Sequence, residues 1–278
     1  MPRRLRLDAE LVRRGLARSR EQAGELIAAG RVTVNGSRAT KAATGVTTDV
    51  ALVVADDPTT PDYVSRGGHK LAGALAAFGP LGLEVQQRRC LDAGASTGGF
   101  TDVLLRAGAA QVVAVDVGYG QLAWPLRNDG RVVVHDRTNI RDVTPDLVGG
   151  PVDLVVGDLS FISLRLVLDA LLGVTVEDGD LALMVKPQFE VGKDRVGRGG
   201  VVRDLDLRTE AVLGVAEAAA SRGWGAQAVT TSPLPGPSGN VEFFLWLRRG
   251  VEPVAEADIR AEARRTANLG VAGERVEE

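Results

Sequence analysis

The chain is poor in residues that cross-link or ligate. Cys90 is the only cysteine among 278 residues, which excludes an intrachain disulfide and fits a reducing cytoplasm. With only His69 and His135 besides, no ligand set for a structural zinc exists, and no metal is expected. No run of about 18 mainly apolar residues is present, so nothing is expected to span a bilayer. The longest uncharged stretch, Gly223 to Val241, is broken by glycine, proline and polar side chains. Arg13 and Arg14 interrupt any apolar core a signal peptide would need. No Gly-Lys-Ser/Thr follows the glycine-rich stretch near residue 96, which excludes a P-loop.

Charge is scarce in total and uneven in place. The net charge is −3, yet residues 1–48 hold ten Arg or Lys against four acids. Such a basic front on an otherwise acidic chain suggests a nucleic-acid-facing module. Leu7, Leu11 and Val12 sit at helical spacing, with Asp8 as the expected N-cap and Gly15 as the stop. Ser19 should cap a second helix from Arg20 to Ala29, closed by Gly30. Arg31 to Val34 alternates like a strand, Asn35-Gly36 marks a tight turn, and a short strand is expected at Ala51 to Val54. Gly15-Leu16, Ser19-Arg20, Ala23, Leu26-Ile27, Gly30, Val32, Val34-Asn35-Gly36 and Lys41 together resemble the small RNA-binding domain first described in ribosomal protein S-four. The resemblance implies that Arg4, Arg6, Arg14, Arg18, Arg20 and Lys41 lie on RNA phosphates and read shape rather than sequence. Neutralising phosphates this way would cost roughly 0.7–0.9 log units of affinity per contact per decade of salt.

Asp56 to Asp62 is rich in proline and acid and reads as a linker. Beyond it, strand-like and helix-like segments alternate. Helix His69–Phe78, strand Arg89–Ala93, helix Gly98–Ala107 and strand Gln111–Val115 come first. Strands Val132–His135 and Val152–Val156, helix Leu164–Leu172, strand Leu181–Lys186 and a long helix from about Leu205 to Arg222 follow. Two last strands lie around Ala226–Thr231 and Val241–Leu247. Short Val-rich runs between helices require a mainly parallel sheet covered on both faces. Two late strands with no helix between them suggest one antiparallel edge strand. The final residues should form an exposed helix and a frayed end. The expected domains are therefore 1–57, a linker 58–64, 65–250, and a C-terminal helix and tail 251–278.

Leu91-Asp92-Ala93-Gly94-Ala95-Ser96-Thr97-Gly98-Gly99-Phe100 stands where a strand gives way to a helix, and glycines there let the backbone approach a ligand closely. Asp116, ending the next strand, can accept both hydroxyls of an adenosine ribose. Asp-Ala-Gly at a strand end followed by Gly-Gly-Phe resembles the first motif of the FtsJ-related ribose methyltransferases. That resemblance implies an α/β, Rossmann-like methyltransferase domain behind the small α/β RNA-binding domain, with S-adenosylmethionine as cofactor. Asp92, Gly94, Ser96, Thr97, Gly98 and Phe100 would surround the cofactor, Asp116 would hold its ribose, and Asn139 would lie near its adenine, where the family uses Asp.

A ribose hydroxyl is a poor nucleophile and must be oriented and relieved of its proton while it attacks. A lysine can take that proton only if burial and neighbouring positive charge keep it partly neutral. Four segments offer lysines and acids at one sheet edge: Ser65 to Lys70, Val155 to Ser160, Met184 to Glu190, and Pro235 to Glu242. Their order and spacing resemble the Lys-Asp-Lys-Glu tetrad of the FtsJ-related group, which implies Lys70, Asp158, Lys186 and Glu242. Lys186 is expected nearest the attacking hydroxyl, with Asp158 and Glu242 holding it and Lys70 tuning its charge or steering the ribose. Gly192 to Gly200, basic and glycine-rich, reads as a mobile loop able to close over RNA. His69 reads as structural.

The whole combination, from about residue 3 to residue 248, resembles the TlyA family of ribosomal RNA (cytidine-2′-O)-methyltransferases, some of which were first labelled haemolysins. It implies a substrate in small- and large-subunit ribosomal RNA, no membrane and no obligate protein partner. One departure is that longer members carry Arg-Xaa-Trp-Val where this chain has Pro61-Asp62-Tyr63-Val64. A pore-forming haemolysin would need a spanning or strongly amphipathic segment, which is not found. An RNA-binding protein without catalysis would have lost a tetrad member, and all four are present. A small-molecule methyltransferase would have no use for the basic front.

Overall fold

The computed structural model describes residues 4–17, 19–55 and 61–266. Two compact units divide the chain, residues 1–62 and 63–278.

In the first unit the strands are β1 (Leu5–Arg6), β2 (Val32–Val34), β3 (Ser37–Arg38), β4 (Gly45–Val46) and β5 (Leu52–Val54). The helices are α1 (Leu7–Arg13) and α2 (Arg20–Ala28). Strands β3-β2-β5 form one small antiparallel sheet and β1-β4 another. Leu7, Leu11, Ala23, Ile27 and Val32 make its core. Ser19 caps α2 through its side chain, which accepts from the Gln22 amide. Asp8 does not cap α1: Arg6 holds the N-cap position, and Asp8 is buried one position inside the helix. There its carboxylate accepts from Arg6 and Arg20, which hold it well below the usual carboxylate range.

The second unit runs α3 (Gly67–Phe78), β6 (Arg89–Ala93), α4 (Gly99–Arg106), β7 (Gln111–Val115), α5 (Trp124–Arg127), β8 (Val132–His135), α6 (Pro145–Val148) and β9 (Val152–Gly157). It continues with α7 (Leu168–Gly173), β10 (Thr175–Val185), α8 (Pro187–Glu190), α9 (Leu205–Ala220), β11 (Trp224–Thr231), β12 (Phe243–Arg249) and α10 (Glu256–Arg265). One seven-stranded sheet has the order β11-β12-β10-β9-β6-β7-β8. Strands β6 to β10 are mutually parallel, while β12 is antiparallel to both neighbours. The sheet is thus mostly parallel with one antiparallel strand. That strand lies second from the edge, because β11 passes outside it and runs parallel to the rest. Apolar side chains alternate between two cores. Leu91, Val113, Val155 and Leu183 belong to the core that includes apolar residues of α7, α9 and α10, whereas Cys90, Val112, Leu154 and Met184 belong to the one that includes those of α3 and α4.

Three elements differ from expectation. β10 begins at Thr175, six residues early, through a register break that accommodates the acidic turn Glu177 to Gly179. Helix α10 is not merely exposed: Ile259 and Ala263 are buried, and Glu262 accepts from the amide and hydroxyl of Thr231. The expected frayed end lies outside the described residues. Tyr63 and Val64 pack on the second unit: the Tyr63 ring meets His69 edge-on at 5.1 Å, and the Val64 amide donates to Asp102.

Candidate active site

Strand periodicity assembles the tetrad. Leu154 and Val156 of β9, Ala182 and Met184 of β10, and Trp246 and Phe244 of β12 all belong to the core under α3. One further step of two along each strand reaches Asp158, Lys186 and Glu242, so all three point to the α3 side. Val185 pairs with Phe243, and the next residues outward are Lys186 and Glu242. Lys70 joins them from the second turn of α3.

The four groups form two close ion pairs. Lys70 Nζ donates to Glu242 Oε2 at 2.5 Å, with both side chains buried. Lys186 Nζ lies 2.6 Å from Asp158 Oδ1. That approach is off the line of a hydrogen bond, so Oδ1 has no donor, and Lys186 instead donates to Ser160 Oγ at 2.9 Å. Each ammonium therefore has its own carboxylate: Asp158 lies at Lys186 as expected, whereas Glu242, expected to hold Lys186 as well, pairs with Lys70. Gln188 bridges toward the first pair through a long 3.4 Å bond to Glu242 Oε1, and Arg66 fixes the Glu242 turn by donating to the Pro235 carbonyl. Pro187 opens α8, which is why β10 stops at Val185 and Lys186 turns off the sheet.

Beside these pairs, at the carboxyl ends of β6 and β7, lies a cavity of about 470 Å³. Of the residues expected around a cofactor, Gly94, Ser96, Asp116 and Asn139 line it. Asp116 lines the cavity and accepts from the amides of Ser96 and Gly118, one on each oxygen, so each oxygen retains capacity for a further donor. Asn139 also caps the following turn by accepting from the Arg141 amide. Gly94 has φ +86° and sits against the Asp158 carbonyl, so any Cβ there would be strained and crowded.

The other four do not reach the cavity wall. Asp92 is fully buried on β6, where Thr101 donates to Oδ2 and Oδ1 has no partner. Burial pushes its carboxyl up to about 7 against the relief given by Thr101. Phe100 is core, stacked on Phe244 at 5.9 Å. Gly98, at φ +99°, is covered by Leu122 and Leu126, and Thr97 is exposed outside the cavity. Gly99 serves packing too: a Cβ there would fall 2.3 Å from Ser65 Oγ and 2.8 Å from the Gly68 amide, so its absence lets the starts of α3 and α4 touch.

Several contributors escaped the sequence reading. The loop 158–162 supplies Leu159, Ser160, Phe161 and Ile162 to the cavity along with Asp158. Ser160 was visible only as a hydroxyl two residues beyond Asp158, and nothing in the sequence marks Phe161. Glu190, four residues beyond Lys186, is buried and accepts from Ser163 Oγ at 2.6 Å and from the Leu164 amide at 2.7 Å. Asn240 is buried and binds the loop before α9: Oδ1 accepts from the Val202 amide and Nδ2 donates to the Gly200 carbonyl. The basic stretch Gly192 to Gly200 therefore has fixed anchors, including Arg195 paired with Glu210.

In the first unit, Arg4, Arg6, Arg20 and Lys41 are exposed, with Arg6 and Arg20 anchored on Asp8. Arg14 is turned inward: it bonds Glu10 and the carbonyls of Val50 and Thr48. Arg18 lies outside the described residues.

Residues 63–249 match the FtsJ-like methyltransferase family, and residues 5–50 match the S4 domain. The chain is 63% identical over 248 residues to a Mycobacterium tuberculosis protein named 16S/23S rRNA (cytidine-2′-O)-methyltransferase TlyA, covering 89% of this chain and 91% of that one. This chain belongs to the FtsJ-like methyltransferases of the TlyA family. It is also 45% identical to a Bacillus subtilis protein named as a candidate rRNA methyltransferase, YqxC, covering 87% of this chain and 85% of the relative. A solved Streptococcus thermophilus structure, described as a candidate hemolysin, superposes with a TM-score of 0.75 at 37% identity and covers 96% of this chain and 97% of its own. Among the described residues no helix is long and apolar enough to cross a membrane, and no group of His, Cys, Asp and Glu is arranged to hold a metal ion.

Proposed function

We propose that the protein transfers a methyl group from S-adenosylmethionine to the 2′-hydroxyl of a ribose, that of a cytidine, in the RNA of both ribosomal subunits. The observation that carries this reading is the position of two Lys–carboxylate pairs, Lys70–Glu242 buried and Lys186–Asp158 open to the cavity through Asp158, at the same sheet edge as the Gly94–Asp116 cavity. The substrate follows from the 63% identical TlyA protein, whose name specifies cytidine in 16S and 23S RNA. Ribosomal RNA as substrate and the single buried cysteine both fit a cytoplasmic protein.

The cavity suits the cofactor. Its volume is in the range of small-molecule pockets, and it combines carboxylate acceptors with apolar walls from Val117, Ile140 and Ile162. Asp116 would take the ribose hydroxyls, Asn139 the adenine edge, and Gly94 with Ser96 the methionine part. S-adenosylmethionine supplies an electrophilic methyl on sulfur. The chain supplies orientation and proton handling for the attacking oxygen. Lys186 is placed nearest that oxygen, with Asp158 and Ser160 holding its amine in position, and in its neutral form it takes the hydroxyl proton. The oxygen–carbon bond then forms as the sulfur–carbon bond breaks. Lys70, held by Glu242, stands behind as a fixed positive charge that orients the ribose. Arg4, Arg6, Arg20 and Lys41 of the small unit would contact RNA phosphates; Arg14 would support that surface from within.

The test is transfer of tritiated methyl from S-adenosylmethionine to purified ribosomal subunits by wild type and Lys186→Ala. Label in 2′-O-methylcytidine with wild type, and none with the variant, is the expected result. Cofactor binding without labelling of either subunit or naked ribosomal RNA would overturn the substrate.

A further inference from the structure

We infer that Glu190 is a positioning residue for the cofactor cavity: it pins the loop that follows Asp158 to the helix that follows Lys186. The inference rests on the reading of that cavity as the S-adenosylmethionine site.

The loop from Asp158 to Ile162 forms one side of the cavity and has no helical or strand hydrogen bonding of its own. Phe161 within it is 91% exposed and holds φ +64°, a left-handed conformation that a bulky residue adopts only when its surroundings impose it. Such a loop keeps its shape through its two ends. Upstream, the Asp158 amide donates to the Ala93 carbonyl at 3.0 Å, which fixes the loop to the glycine-rich turn. Downstream, the fixing group is Glu190. Oε2 accepts from Ser163 Oγ and Oε1 from the Leu164 amide, while Arg165 lies 3.4 Å from Oε2 and donates to the Glu190 carbonyl at 2.8 Å. Three successive residues are thus tied to one glutamate.

Glu190 ends α8, one helical turn after Lys186. Between these positions Phe189 meets the Phe161 ring at 5.3 Å. The loop is therefore fastened to α8 along its length, at Lys186 by Asp158 and Ser160, at Phe189 by Phe161, and at Glu190 by Ser163 and Leu164. Only the last of these fastenings is buried away from the reacting groups. Glu190 lines neither the cavity nor the tetrad, and acts on the cavity through the loop.

The structure distinguishes two substitutions. Glu190→Ala leaves the buried Leu164 amide without an acceptor and frees the loop end. Glu190→Gln keeps one carbonyl oxygen for that amide and an amide nitrogen that the Ser163 hydroxyl can accept. The experiment uses the full chain and measures S-adenosylhomocysteine binding by calorimetry, methyl-transfer kinetics on ribosomal RNA, and thermal unfolding. Glu190→Ala is expected to weaken S-adenosylhomocysteine binding about tenfold and to raise KM for S-adenosylmethionine similarly, with kcat at saturation within about threefold of wild type, the scale of losing two hydrogen bonds in a preformed site. Glu190→Gln should recover most of that affinity. A purely structural glutamate would instead lower the active fraction, seen as a fall in kcat at constant KM. That pattern, or wild-type affinity in folded Glu190→Ala, overturns the inference. Should the alanine variant not fold, Glu190→Asp decides: its shorter stem cannot reach both donors, and binding as tight as in Glu190→Gln would overturn the role. Failure of the wild type itself to bind S-adenosylhomocysteine is a separate result, which overturns the cofactor reading and the inference resting on it.

Discussion

Lys70 Nζ and Glu242 Oε2, separated by 172 positions in the chain, meet at 2.5 Å with 6% and 1% of their side chains exposed. Removing one partner of a buried pair strands the other's charge, which costs about 3–5 kcal/mol. Replacing both by uncharged groups of similar size returns much of that. Lys70→Met is therefore expected to destabilise strongly, and Lys70→Met with Glu242→Gln to be clearly more stable than the single variant, as read by urea unfolding. Methyl transfer should stay lost in both. Equal stability of the single and double variants would show that the pair is not coupled.

Asp92 predicts a pH dependence. Burial raises its carboxyl from 3.8 to about 7 in the folded chain. Between those values the folded chain keeps a proton that the unfolded chain has released. The stability it contributes is full below pH 3.8 and declines as pH rises through about 7. Asp92→Asn cannot titrate, so its unfolding free energy should fall less than that of wild type between pH 5 and pH 8. Parallel pH profiles for the two proteins would mean that Asp92 is ionised throughout.

How much of this was legible in the sequence depends on range. Periodicity placed β6, β7, β8 and α4 closely, because their apolar runs are continuous and bounded by glycine or polar turns. It missed the first part of β10, where Glu177 and Asp178 hide a strand that bends, and the burial of α10, whose apolar face is only a few residues wide. The position of β12 inside the sheet edge was out of reach, since local pattern carries no strand order. At the site, motif resemblance named the tetrad, and period-two stepping explains the convergence of Asp158, Lys186 and Glu242, to which α3 adds Lys70. It named Asp92 and Phe100 as cofactor contacts, although both are buried in the support beneath the glycine turn. Glu190 and Asn240 were invisible as functional groups, because their work is done through backbone amides and carbonyls of distant loops.

Arg14 and Arg20 separate folding from RNA contact. Arg14 is half-buried and makes three bonds within its unit, to Glu10, Val50 and Thr48. Arg14→Ala should cost about 1–2 kcal/mol in stability while leaving the salt dependence of RNA binding unchanged. Arg20 is exposed and shares Asp8 with Arg6. Its removal should lower the slope of log affinity against log salt by about 0.7–0.9 with little change in melting. An unchanged slope would remove Arg20 from the RNA surface.

Asn240 is the latch on the basic loop. It is 2% exposed, and its two amide atoms satisfy opposite needs: Oδ1 takes the Val202 N–H at 2.9 Å, and Nδ2 reaches the Gly200 carbonyl at 2.7 Å. Asn240→Asp keeps the shape and loses the donor, so a carboxylate oxygen then faces a carbonyl. Leaving such buried groups unsatisfied costs about 1–3 kcal/mol, enough to open the loop locally without unfolding the sheet. The loop carries Lys193, Arg195 and Arg198, all of them trypsin sites. Trypsin should cut the variant within this loop faster than it cuts wild type. Methylation of ribosomal RNA should fall about tenfold if the opening costs a similar free energy in the RNA complex. S-adenosylhomocysteine affinity should hold, because no residue of the loop lines the cavity. Equal cleavage rates in the two proteins would show that the loop is held by its other anchors, Arg195 on Glu210 among them, and that Asn240 only supports the turn before Glu242.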